Sequence, residues 1–152
     1  MKQLVIAAAL VTAFILAVVS TATASTNPSK FGFGAGGVFS NPCNGDPVSY
    51  FVTGTGLIVS SEGSFLVKEH GTGTGSDGAT GETFDVTFDL KGTSATDGSG
   101  SFTGHVVVVF VGRRTGATFV FHSVANVNFR PSQPQIVDFQ FVTCAGVGMK
   151  SL

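Results

Sequence analysis

The chain has 152 residues, with 21 Gly, 15 Phe, one Tyr and no Trp, and its eight Lys and Arg against nine Asp and Glu leave a formal net charge of −1. So few cations exclude a surface that neutralises many phosphates, and no nucleic acid partner is expected. The length suits one domain with a modest core rather than two.

Met1, Lys2 and Gln3 precede an apolar run from Leu4 to Val19, interrupted only by Thr12, and then small residues from Ser20 to Ala24. A cationic start, a hydrophobic stretch and the Ala22-Thr23-Ala24 pattern are the parts of a cleavable secretory signal, with the cut after Ala24. The run approaches the roughly 18 to 20 apolar residues of a membrane span. It ends in small residues, however, with no Lys or Arg cluster behind it to stop transfer. The expectation is a signal peptide over 1–24 and a secreted mature chain, extracellular or periplasmic, without a membrane span of its own.

Residues 25–45 are rich in Gly, Ser, Asn and Pro, with Phe31, Phe33 and Phe39 interspersed. They read as an irregular arm whose rings fold down onto a single β domain spanning 46–146. Asn41-Pro42-Cys43-Asn44-Gly45 carries the dipeptides that mark turns. Val48 to Thr53 is a short β-rich run, and Leu57 to Ser60 and Ser64 to Glu69 flank Ser61-Glu62-Gly63 as a hairpin. Gly71 to Gly78 alternates Gly with Thr, Ser and Asp and reads as a loop or a Gly-rich strand end.

Glu82 to Lys91 is the cleanest strand: Phe84, Val86, Phe88 and Leu90 alternate with Thr83, Asp85, Thr87 and Asp89, which predicts one buried and one wet face. Ser101 to Gly112 follows a turn cluster, and its segment Val106 to Val111 is apolar on both faces, as in a strand covered on both sides. After the turn at Arg113 to Gly116, Ala117 to Phe129 sets Phe119, Phe121, Ala125, Val127 and Phe129 on one face. Arg130 to Pro134 breaks the pattern, and Ile136 to Cys144 is the last strand, with Val137, Phe139 and Phe141 sharing a face. No window has the 3.6-residue recurrence of an amphipathic helix. Seven or eight short strands joined by local turns predict an all-β antiparallel meander, and the tight links favour a closed barrel over a sandwich.

Cys43 and Cys144 stand near the two ends of the mature domain and are expected to pair in an oxidising compartment. Closing a loop of about 100 residues restricts the unfolded chain by roughly 4.7 kcal/mol in the chain-entropy model. In a closed barrel the bridge would tie neighbouring first and last strands.

Motifs that would carry chemistry lack their context. Gly32, Gly34, Gly37 and Gly73, Gly75, Gly78 match G-x-G-x-x-G loosely, but neither sits in a strand-turn-helix unit with a later acidic residue, so no cofactor is expected. The segment Gly73 to Gly78 resembles one calcium-binding β-roll repeat without its neighbour, and Asp77 and Asp97, each before Gly, read as turn formers. His70, His105 and His122 lie on different strands without a short-spaced ligand pair, and His122 falls opposite Phe119 and Phe121, so no metal is expected. Asp85 and Asp89 share a face but stand about 13 Å apart along a strand, beyond the roughly 5 to 9.5 Å of paired glycosidase carboxylates. Glu69, Glu82 and Asp138 are the remaining loose acid-base candidates, and no G-x-S-x-G elbow occurs. Strands of about ten residues fit an outer-membrane barrel, yet one Tyr and no Trp leave no aromatic girdle.

Asn41-Pro42-Cys43-Asn44-Gly45-Asp46-Pro47-Val48, with Cys144 near the end, resembles the corresponding part of small secreted disulfide-bonded bacterial β-proteins of uncharacterised function. The resemblance implies a compartment and a disulfide, and no catalytic residue is carried over. Three functions are open: a non-enzymatic secreted barrel that holds a small apolar ligand or presents a stable surface, a small barrel enzyme of cyclase or isomerase type, and an extracellular adhesion or interaction module. An empty apolar interior would favour the carrier, buried charged groups the enzyme, and a filled core the interaction module.

Overall fold

A computed structural model describes residues 28–61, 64–95, 101–128 and 135–146. The strands are β1 (Ser29–Ser40), β2 (Pro47–Ser61), β3 (Ser64–Asp77), β4 (Thr83–Ala95), β5 (Ser101–Gly112), β6 (Thr118–Asn128) and β7 (Gln135–Ala145). They form one seven-stranded antiparallel sheet in simple sequence order. The segment 1–24, read above as a signal peptide, lies outside the described residues, as do residues 62–63, 96–100 and 129–134.

Alternation decides which face is inside. In β4, Phe84, Val86, Phe88 and Leu90 are all buried, while Thr83, Asp85, Asp89 and Lys91 are exposed. Register carries the same parity across the sheet: Phe84 sits opposite Gly75 on β3 and Gly112 on β5, and Phe110 sits between Val86 and Phe119. The buried cluster therefore runs through Val48, Val52, Ile58, Val67, Phe110 and Phe119 as well as the β4 row.

One sheet buries a face by curling over it. Phe39 of β1 reaches Phe110, Phe119 and Phe121 of β5 and β6, with ring centroids 5.3, 6.1 and 5.0 Å away. The curl is tight where β2 meets β3. A Cβ on Gly54 would overlap the His70 carbonyl, and one on Gly73 would overlap the Phe51 carbonyl. Only glycine tolerates so close a backbone approach. Rings fill the space left by missing side chains: Phe31 lies over Gly56, and Phe102 over Gly92 and Gly104.

The sheet does not close, and this corrects the expectation of a barrel. β1 and β7 are its two edges, with no ladder between them. Closure needs the first and last strands side by side over several residues, whereas here one covalent link holds the ends. Cys43, in the turn after β1, is bonded to Cys144 of β7, with Cα atoms 6.0 Å apart and 101 residues between them in sequence.

A second difference concerns residues 25–45. The stretch read as an irregular arm contains β1, a full edge strand pairing with β2 from Ser29 opposite Ile58 to Ser40 opposite Pro47. Its inner positions Phe31, Phe33, Ala35 and Phe39 pack on the core, and Gly32, Gly34 and Gly36 face out. Low β-propensity of Gly hid a strand whose inner row supplies the packing. The Gly and Thr run after His70 is the Gly-rich strand end rather than the loop, continuing β3 to Asp77.

The turn before β2 accounts for the octapeptide around Cys43. Buried Asn41 accepts the Cys43 amide on Oδ1 at 2.9 Å, and its carbonyl accepts the Gly45 amide at 2.7 Å. Asn44 Oδ1 accepts the Asp46 amide, and Gly45 takes φ +84°, a left-handed conformation natural to glycine.

Candidate functional site

Outward positions of β2 to β5 build a shallow groove of about 490 Å³. Its polar walls are Lys68 and His70 of β3, Asp89 and Lys91 of β4, and His105 of β5, and the buried inner-face residues Glu69 and Leu90 also border it. Leu57 and Val107 add aliphatic surface, and Thr55 a hydroxyl. The strands fix the arrangement through two adjacent register rows. One row runs Leu57, Lys68, Lys91, His105, and the other Thr55, His70, Asp89, Val107.

His70 Nδ1 lies 2.7 Å from Asp89 Oδ1, with the two side chains 64% and 56% exposed. So open a pair contributes about 0–1 kcal/mol to stability, but it orients the imidazole. Lys68 and Lys91 stand directly opposite one another, both exposed. Among the described residues the other close ion pairs are Arg113 with Asp85 and Arg114 with Glu82.

Two carboxylates point away from water. Glu69, at an inner position of β3 between Gly56 and Leu90 in register, is 4% exposed, and its Oε2 has no hydrogen-bond partner. Burial without donors disfavours the charged form and pushes its carboxyl up to about 7. Glu82, in the turn before β4, accepts the Arg114 and Thr115 amides on Oε1 at 2.8 and 3.3 Å, and Arg114 Nε on Oε2 at 3.1 Å. The backbone donor of Arg114, foremost among these contacts, holds the Glu82 carboxyl below the usual carboxylate range. Tyr50, half-buried against Phe39 and Phe110, has its hydroxyl pushed up to about 12 by loss of water around it.

The remaining sequence candidates fall into structural roles. Cys43 and Cys144 form the expected bridge. Asp77 Oδ1 accepts the Ala79 and Thr80 amides and serves its own turn. Asp85 and Asp89 share the outer face but take separate partners. Asp138 lies in β7 opposite Ala125, and its side chain is outside the described residues, as is Asp97. The glycines of both G-x-G-x-x-G matches lie on β1, on β3 and in the turn after β3, with no helix following. His70, His105 and His122 occupy outward positions of three strands, and among the described residues no three His, Cys, Asp or Glu converge on a metal-sized site. Among the same residues no helix is long and apolar enough to cross a membrane.

Sequence reasoning missed the Lys68–Lys91 juxtaposition. Its signal was the wet face of β4 set beside that of β3, which requires the pairing register. No known family model, curated protein or solved structure matches the chain.

Proposed function

We propose that the chain is a secreted, non-enzymatic binding domain that works through the outer face of its sheet. The supporting observation is the ring cluster inside. Phe110 and Phe119 stack at 4.5 Å, and Phe39, Phe84, Phe121 and Tyr50 surround Phe110 with centroids 5.3 to 6.2 Å away. The rings that would line a cavity for a small apolar ligand meet each other instead, at separations typical of filled aromatic cores. Polar chemistry is left to the outward groove. The Cys43–Cys144 bridge supports an oxidising compartment.

Glu69 favours a second reading, the small enzyme of cyclase or isomerase type. A carboxyl held protonated near neutrality inside an apolar wall has the character of a general acid. Its row also holds Ser123 of β6, likewise buried.

Native mass spectrometry of the secreted mature protein, with and without reductant and followed by extraction, tests the outer-face reading. An apo mass that gains two hydrogens on reduction is the expected result. A co-purifying apolar molecule would overturn the outer-face reading in favour of a carrier.

A further inference from the structure

We infer that the outer groove binds a linear polysaccharide carrying one carboxylate per sugar, a uronate-type glycan. The inference rests on the reading that the outer face does the binding. Its basis is a single register row across the sheet: Lys30 on β1, Leu57 on β2, Lys68 on β3, Lys91 on β4 and His105 on β5. Neighbouring strands stand about 4.8 Å apart, so the row extends about 19 Å across the strands.

Charge along this row is uncompensated. Among the described residues the arginines have carboxylate partners, Asp85 for Arg113 and Glu82 for Arg114, whereas no ion pair engages Lys30, Lys68 or Lys91. Like charges directly opposed in a cross-strand pair destabilise a sheet. An anion lying over Lys68 and Lys91 removes that cost. Of the two acidic residues bordering the groove, Asp89 is engaged by His70 and Glu69 sits at a buried inner position of β3.

The layout selects the kind of anion. Compact phosphate sites gather Arg forks or backbone amides around one point. Here lysine point charges are strung in a line, the arrangement that matches charges repeated along a polymer. Leu57 and Val107 offer aliphatic patches to the apolar faces of sugar rings. With Nδ1 directed at Asp89, the other ring nitrogen of His70 is left for a sugar hydroxyl, as is the Thr55 hydroxyl. Duplex nucleic acid is a poor fit to a chain with eight Lys and Arg in all.

Calorimetric titration of the disulfide-intact mature protein with polygalacturonate at low salt tests the inference, beside fully methyl-esterified polygalacturonate and polyphosphate. Expected are binding to polygalacturonate that weakens with salt, none to the neutral ester, and weaker binding to polyphosphate. The double variant K68Q/K91Q should lose about tenfold or more in affinity, with a melting temperature no lower than that of the wild type, because both side chains are exposed and their mutual repulsion is removed. Equal binding by the double variant, by the ester or by polyphosphate overturns the inference. So does absence of binding by the wild type, and if the same protein also yields an apo mass, the outer-face reading survives the failure.

Discussion

Glu69 and Glu82 are both buried, at 4% and 5% exposure, yet their carboxyls are displaced in opposite directions from the usual range. Glu82 lies at the end of the sheet that holds the disulfide and the turns after β1, β3 and β5, where backbone amides of Arg114 and Thr115 replace the water it lost. Glu69 lies farther along the interior, between Gly56 and Leu90 in register, and nothing replaces water at Oε2. The difference teaches that burial does not set the charge state of a carboxyl; the donors that remain do. It also divides the interior into a ring-packed end and a glycine-rich stretch that keeps one buried acid oxygen without a partner.

The largest expected effect tests the ring-packed end. Phe110→Ala should lower the unfolding free energy by about 3–5 kcal/mol in a urea titration, because the ring is 1% exposed and enclosed by others. Phe51→Ala, on the outer face at 58% exposure, should stay within about 0.5 kcal/mol of wild type. Similar losses for the two would mean that the curled face is not the core.

The unsatisfied acid is tested by pH. The native state holds a proton on Glu69 that the unfolded chain releases above the ordinary value of 4.5, and it keeps that proton until about pH 7. Unfolding free energy attributable to Glu69 therefore falls as pH rises across this window, by on the order of 3 kcal/mol in total. Glu82 has the opposite sign: its stabilisation is present above the usual carboxylate range and is lost as pH falls through its lowered folded value. Glu69→Gln should abolish the decline between pH 4.5 and 7 and leave the acid-side loss in place, as read from urea midpoints at each pH. A variant that keeps the wild-type decline would move its origin to another group.

The smallest effect belongs to the exposed pair. A double-mutant cycle on His70→Ala and Asp89→Asn should give a coupling below about 1 kcal/mol that shrinks with added salt. A larger, salt-insensitive coupling would place the pair in a drier site than its exposure indicates.

Much of this architecture was legible from alternation. The rows Phe84 to Leu90 and Phe119 to Phe121 declare their inner faces, because a period of two has one solution once a face is apolar. β1 was not legible, since Gly32, Gly34 and Gly36 erase the outer half of its pattern and only contact with β5 and β6 shows what Phe39 packs against. The groove was equally hidden. Lys68 and Lys91 are 23 residues apart and become neighbours solely through the β3–β4 register.

Composition, strand alternation and the Cys43–Cys144 pairing were thus determined by the sequence alone, because each depends on local order or on a count. Tertiary structure decided that the sheet stays open, that its interior is closed by rings over glycines, and that Glu69 is left unpartnered while Glu82 is not. Those outcomes depend on which groups meet across the curl of the sheet, and curvature is a property of all the strands packed together rather than of any one of them.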